Sequence, residues 1–209
     1  MKKIDILISK DLVNYEQAIE FMKKKVTLVI KDNANELFWF LEHPSIYTCG
    51  RSSPLNQKFI KNVPVYNSQR GGKITWHGPG QRIIYFIINM KKRNIDIRSF
   101  VFNAEKFIIE SLKELNINCY RRENLIGIWT KNKKKEHAKI ASLGLRVTRG
   151  IIYHGVSINV NCELNNFYNI IPCGILNSKV TSVSEMIGKI NNYKIDNIFR
   201  KNLKIILNN

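Results

Sequence analysis

Apolar residues recur at three- and four-residue spacing near the start of the chain. Leu12, Tyr15, Ala18, Ile19 and Met22 share one face of a helix, which predicts a first helix over residues 11–25. The pattern then shortens. Runs rich in β-branched and aromatic residues at 26–30, 37–41, 63–66 and 83–88, most of them flanked by Pro, Gly, Asn or Asp, predict strands. Asp96 opens a second predicted helix in which Phe100, Ala104, Phe107, Ile108, Ser111 and Leu115 share a face, and Asn116-Ile117-Asn118 ends it. Further β-rich runs follow at 125–130, 139–147 and 151–160. Ser182-Val183-Ser184-Glu185 has the spacing of a capping box, and Ile195, Phe199, Leu203 and Ile206 line a last helix. Strands in two groups around a central helix predict an α+β or mixed α/β fold. No repeat, low-complexity linker or composition shift divides the chain, so residues 1–209 are expected to form a single domain.

Composition narrows the function classes. At 44% hydrophobic residues the 209-residue chain has enough apolar surface for one core. No apolar run approaches the roughly eighteen residues of a membrane span. The start Met1-Lys2-Lys3-Ile4-Asp5 lacks the apolar stretch of a secretory signal. A soluble, cytoplasmic protein with no membrane partner is expected. Cys49, Cys119, Cys162 and Cys173 form no C-x-x-C pair, and His43, His77, His137 and His154 have no close metal-ligand spacing, so neither a zinc site nor a disulfide framework is indicated. The formal charge of +18 implies attraction to something acidic, and its sign alone does not choose among nucleic acid, an anionic membrane surface and an acidic protein. The densest basic knot, residues 131–135, reads as a solvated loop tip. The chain carries no RNA- or DNA-binding signature, which sets a basic nucleic-acid-binding module aside.

The most unusual local sequence is Arg70-Gly71-Gly72-Lys73-Ile74-Thr75-Trp76-His77-Gly78-Pro79-Gly80-Gln81, which lies between two predicted strands. Glycine lets backbone approach a ligand closely, so such a segment is able to cradle a substrate with its own N–H groups; the plainer alternative is a hairpin with tight turns at Gly71-Gly72 and Gly78-Pro79-Gly80. The presence of Arg70 and His77 among the glycines favours a site.

The blocks Arg70-Gly71-Gly72, Thr75 and His77-Gly78-Pro79-Gly80-Gln81 resemble the signature of the lipoyl(octanoyl) transferases, also called lipoate-protein ligase B. The resemblance continues in order through Lys139-Ile140-Ala141-Ser142-Leu143-Gly144, His154-Gly155-Val156-Ser157-Ile158-Asn159 and Ile171-Pro172-Cys173-Gly174, with Tyr47-Thr48-Cys49-Gly50-Arg51 a weaker match upstream. It implies a single domain like the catalytic domain of biotin and lipoate protein ligases, with a central mixed sheet and flanking helices. It implies transfer of an octanoyl group from acyl carrier protein to a lysine of lipoyl domains, with no metal or nucleotide cofactor. The acceptors would be the lipoyl domains of 2-oxoacid dehydrogenase complexes and the glycine cleavage H protein. Carrier and acceptors are typically acidic, which would account for the charge without nucleic acid.

The resemblance also assigns roles. Cys173 matches the nucleophile and Lys139 the lysine that serves it. An acyl group passes from thioester to amine in two steps through a second thioester on cysteine. An unperturbed thiol, with a pKa near 8.5, is only about a few per cent thiolate at pH 7, so a basic neighbour is required. The incoming amine arrives as an ammonium and also needs a base. Residues matching the family's substrate-binding positions are Arg70, Gly71, Gly72, Lys73, Ile74, Thr75, Trp76 and His77, then Ser142, Leu143 and Gly144, then Gly155, Val156 and Ser157. Backbone N–H groups of the last two sets are expected to hold the acyl carbonyl or oxyanion. The other cysteines read as structural. An ATP-dependent lipoate or biotin ligase of the same fold is the alternative. Such ligases tend to carry a histidine-aspartate pair followed by glycine and asparagine where this chain has His77-Gly78-Pro79-Gly80-Gln81.

Overall fold

The computed structural model describes residues 3–53, 55–123, 125–171 and 178–207. Its first element is a strand, β1 (Ile4–Leu12), followed by helix α1 (Tyr15–Ile30). This corrects the predicted helix over 11–25 and the predicted strand over 26–30. Asn14 sets the start, because its side chain accepts from the backbone N–H groups of Glu16 and Gln17 and so caps the helix at Tyr15. The β-branched residues Val26 and Val29 stay in helical phase with Tyr15, Ala18, Ile19 and Met22, and burial of that stripe outweighs their strand propensity.

The chain continues through β2 (Glu36–Glu42), β3 (Ile46–Cys49), β4 (Phe59–Ile60), β5 (Val63–Asn67), β6 (Thr75–His77) and β7 (Gln81–Asn89). After a short α2 (Met90–Arg93) comes α3 (Ile97–Lys113), capped by Asp96, whose carboxylate accepts from Arg98 and Ser99 N–H. Then follow β8 (Cys119–Arg122), β9 (Leu125–Lys131), β10 (His137–Thr148), β11 (Ile151–Asn159), β12 (Lys179–Val180), α4 (Val183–Ile187) and α5 (Asn192–Asn202). At α4 the Ser182 hydroxyl accepts from Glu185 N–H, which is the cap that the Ser-x-x-Glu spacing predicts.

The main sheet has the order β1-β2-β7-β11-β10-β9-β8, with β12 paired to β10. The β1–β2 and β10–β12 pairs are parallel and the others antiparallel. Its two faces are both covered. Phe38, Ile84 and Phe86 pack with Phe100 and Phe107 of α3 and Phe199 of α5. On the opposite face Leu37, Trp39, Tyr85 and Ile87 meet Tyr15, Ala18 and Met22 of α1. Burial on both faces explains why β2, β7 and β11 read as nearly unbroken apolar runs instead of alternating ones. The smaller sheet, β4-β5-β3-β6, has its own cluster around Tyr47, Trp76 and Phe167. The architecture is therefore a mixed α/β fold with a central mixed sheet and flanking helices. No helix among the described residues is long and apolar enough to cross a membrane.

Candidate active site

The glycine-rich segment folds back against β3 and the edge of β10. Gly71 N–H donates to the Leu145 carbonyl at 3.0 Å. The approach to β3 is close enough that a Cβ on Gly50 would lie 2.0 Å from the Gly72 carbonyl oxygen, so only glycine fits there. Arg70 is buried and its guanidinium braces the segment from inside, donating to the Gly71 carbonyl at 2.9 Å and the Lys73 carbonyl at 2.8 Å.

Beside it lies a cluster of neutral rings. His43 Nδ1 is 2.6 Å from the Val13 carbonyl, which only accepts, so this nitrogen carries the proton and Nε2 accepts the Tyr85 hydroxyl at 2.8 Å. His77 stacks on Tyr15, with ring centroids 6.2 Å apart. Burial lowers His43 to about 4 and His77 and His154 to about 3; neighbouring positive groups, Arg70 among them, push the latter two the same way.

A cavity of about 530 Å³ opens between the glycine-rich segment, β10 and β11. Volumes of roughly 300–1,000 Å³ are usual for small-molecule sites. It is lined by Arg70, Gly71, Gly72, Lys73, Ile74, Thr75 and His77, by Lys139, by Ser142, Leu143 and Gly144, and by Gly155, Val156 and Ser157. Trp76 is not in this wall. Alternation along β6 sends Thr75 and His77 towards the cavity and the Trp76 indole the other way, where it donates to the Ser45 hydroxyl at 2.8 Å and meets the Phe167 ring edge-on. Tyr15, Tyr85, Ile97, Val101, Leu125, Ile126 and Arg146 also line the cavity. Sequence reading gives these residues no site role, because none belongs to a local motif; Arg146 lies two residues beyond Gly144 on β10, and the others come from α1, α3, β7 and β9.

Lys139 sits at a bulge. The β10 register against β9 shifts between Lys139 and Ala141, opposite Trp129 and Ile128, and a bulge of this kind re-aims a side chain. The lysine is buried, its Nζ donates to the Ile126 carbonyl at 2.8 Å and lies 5.7 Å from the Trp129 ring centroid. Gly127, at φ +122°, makes room for it, since a Cβ there would come within 2.3 Å of Lys139 Cε. On the other side Lys139 pairs with Val180 of β12, and its carbonyl accepts from Thr181 N–H at 3.0 Å. The chain leaves the described residues after Ile171 and returns at Ser178, just ahead of β12. Cys173 falls in 172–177, outside the described residues. Among the described cysteines, burial pushes the Cys119 and Cys162 thiols up to about 12 and raises that of Cys49 as well, which suits packing and not nucleophilic attack.

Beyond Ala141, β9 no longer pairs with β10, so among the described residues the Ser142–Thr148 half has no strand on the side away from β11. Leu145 uses its carbonyl on that side, to Gly71 N–H. Backbone groups alternate sides along a strand, so Leu143, two residues earlier, also presents its N–H away from β11, whereas Ser142 and Gly144 turn theirs towards it. His154 has φ 64°, unusual inside a strand, and its ring lies against Tyr153 at 4.9 Å and edge-on to Tyr85 at 6.2 Å. At the next residue, Gly155, a Cβ would lie 1.9 Å from the Ile84 carbonyl oxygen.

The three histidines make acid stability testable. Each binds its proton more weakly folded than unfolded, so protons favour the unfolded chain. Their contribution is fully present above about pH 6.5 and is lost as pH falls towards the folded values of about 4 and about 3. The slope is at most about 1.4 kcal/mol per pH unit for each histidine. Denaturant midpoints measured from pH 7.5 down to 4.5 are expected to be level above 6.5 and to drop steeply below it; His43→Gln should make the drop shallower. A flat profile would show that these rings stay accessible to protons.

Residues 14–204 match the family described as lipoyl protein ligase A/B catalytic domain. The chain is 42% identical over 199 residues to an octanoyltransferase of Wolbachia sp. subsp. Brugia malayi, covering 95% of this chain and 97% of that one. It is 41% identical over 203 residues to an octanoyltransferase of Bartonella bacilliformis, covering 93% and 84%. Among solved structures it superposes on lipoate-protein ligase A bound with ATP with a TM-score of 0.76 at 12% identity, covering 98% of this chain and 85% of that one. The biotin protein ligase of Aquifex aeolicus gives a TM-score of 0.54 at 12% identity, covering 99% and 70%. At such identities the structural likeness speaks for the fold, that of the lipoate and biotin protein ligase catalytic domains.

Proposed function

The chain belongs to the lipoyl protein ligase A/B catalytic-domain family, and from its likeness to the octanoyltransferases of that family we propose that it transfers octanoyl groups to lipoyl-domain lysines in lipoate biosynthesis. The donor in this reading is octanoyl-acyl carrier protein, and the acyl group passes through a thioester on Cys173. In the first half-reaction the Cys173 sulfur attacks the donor carbonyl, the bond to the carrier sulfur breaks, and the cysteine proton reaches the departing thiol by way of Lys139. In the second, the acceptor lysine attacks the acyl-cysteine, an amide forms, and the Cys173 sulfur leaves. The incoming ammonium gives up two protons, one to that sulfur and one through Lys139 to solvent.

The observation that carries this reading is the placement of Lys139 in the wall of the cavity, with the apolar Ile97, Val101, Leu125 and Leu143 lining the same space. Those side chains suit an alkyl chain, and the outward N–H of Leu143 suits its carbonyl. The +18 charge suits acidic donors and acceptors and acts on encounter rate more than on affinity.

An ATP-dependent ligase shares the fold, so the deciding experiment removes ATP. With octanoyl carrier protein and an unmodified lipoyl domain, mass spectrometry is expected to show octanoylation of the domain without nucleotide. Modification that requires free octanoate and ATP would instead establish the ligase.

A further inference from the structure

The transfer proposed above leaves one sequence block without a role, Tyr47-Thr48-Cys49-Gly50-Arg51. Its threonine is fully buried on β3 and does not line the cavity. Yet two residues of the cavity lining, Arg70 and His77, meet on it. The Thr48 hydroxyl oxygen accepts from Arg70 Nε at 3.2 Å and Nη2 at 2.9 Å, and the Thr48 carbonyl accepts from Nη2 at 2.5 Å. The same hydroxyl lies 3.2 Å from His77 Nε2.

The direction of that last bond follows from its neighbours. The Gln81 amide nitrogen is directed to Asn159 Oδ1 and the Trp76 carbonyl, so its oxygen faces His77 Nδ1 at 2.7 Å and accepts from it. His77 Nε2 therefore accepts, and Thr48 supplies the proton. One hydroxyl thus takes two N–H groups from a guanidinium that braces the carbonyls of Gly71 and Lys73, and gives its own proton to the imidazole at the end of β6. Backbone pairing of Thr48 with Thr75 fixes the register of the three residues.

We propose that Thr48 is a positioning residue for acyl-donor binding: it holds Arg70 and His77, and through them residues 70–77, in the shape that grips the donor. The inference rests on the reading of the cavity as the octanoyl site. Valine has the shape of threonine but neither accepts nor donates, so Thr48→Val leaves two buried polar groups short of a partner without opening a cavity. Thr48→Ser keeps the hydroxyl.

The test compares these variants in the full chain, by steady-state transfer from octanoyl carrier protein and by calorimetric binding of octanoate. Thr48→Val is expected to raise the donor KM and weaken octanoate binding about tenfold, the scale of one lost hydrogen bond to a charged group, with kcat within about twofold. Thr48→Ser should track the wild type. Phe199→Leu, in the core around α5, controls for lost stability and should leave KM unchanged. If Thr48→Val does not fold, Arg70→Lys, which keeps the charge but loses the fork, is expected to show the same split. A wild-type KM in Thr48→Val, a serine variant as impaired as the valine one, or the same KM rise in Phe199→Leu would overturn the assignment. Wild-type protein that binds octanoate but transfers nothing would overturn the functional reading alone, and weakened octanoate binding in Thr48→Val would still support Thr48.

Discussion

Cys173→Ala is expected to abolish octanoyl transfer, with a loss on the order of 10⁴-fold or more, as removal of a covalent nucleophile does elsewhere. The chemistry leaves no substitute, because Cys49 and Cys162 are buried and their thiols, like that of Cys119, are pushed up by burial. Intact-mass measurement after mixing with octanoyl carrier protein should show one added octanoyl group on the wild type and none on the variant. A triple replacement of Cys49, Cys119 and Cys162 by alanine or serine is expected to retain the adduct, at some cost in stability from the two buried positions, Cys49 and Cys162. An adduct on Cys173→Ala would assign the acyl group to another nucleophile, and full transfer by the variant with no adduct would remove the thioester from the mechanism.

Helix α3 is legible because its cap and its apolar stripe agree: Asp96 opens it, and Phe100, Ala104, Phe107 and Ile108 are fully buried. β7 and β11 are legible as apolar runs because both faces of the sheet are covered there. β1 is not legible. Ile4, Ile6 and Ile8 alternate with Asp5 and Ser9, but Leu7 interrupts the pattern and the strand lies at the sheet edge with Ile6, Leu7 and Ile8 all exposed, so no buried face reinforces the signal. The strand predicted at 26–30 fails for the opposite reason, since valines that favour strands are held in a helix by burial against Trp39 and Tyr85.

The site divides in the same way. Residues 70–81 announce themselves by glycines that stand together with Arg70 and His77, because close backbone approach needs glycine and leaves a local mark. The polar support behind them leaves little: Thr48 falls in the weaker block 47–51, and His43 and Tyr85 fall in none. Thr48 meets His77 only after β3 has paired with β6, and His43, just past β2, meets Tyr85 only after β2 has paired with β7. The bulge that aims Lys139 is likewise invisible in its own sequence, because it is a property of the β9–β10 register. Gly127 is its one local trace, and a lone glycine in a strand does not reveal which side chain needs the space.

Lys139→Arg is expected to separate the two half-reactions. Arginine keeps the positive charge at position 139 but does not release its proton at working pH, so in the proposed mechanism it would favour a thiolate without serving as a base for the incoming amine. Acylation of Cys173 should then proceed slowly but detectably. Onward transfer to the lipoyl-domain lysine should fall by about 10²- to 10⁴-fold, the usual contribution of a general base, and the acyl-enzyme should accumulate. Crowding is a second way for the variant to lose activity, because the lysine passes close over Gly127 and donates to the Ile126 carbonyl, a packing that a planar guanidinium does not reproduce. Lys139→Met separates the two causes. It fits the channel without charge or base, so it should impair acylation as well as transfer, whereas a purely steric defect would spare it. Single-turnover mass spectrometry on each half-reaction reads both variants. Onward transfer at the wild-type rate in Lys139→Arg would mean that another group takes the proton. Wild-type behaviour of Lys139→Met in both steps would remove the lysine from the chemistry altogether.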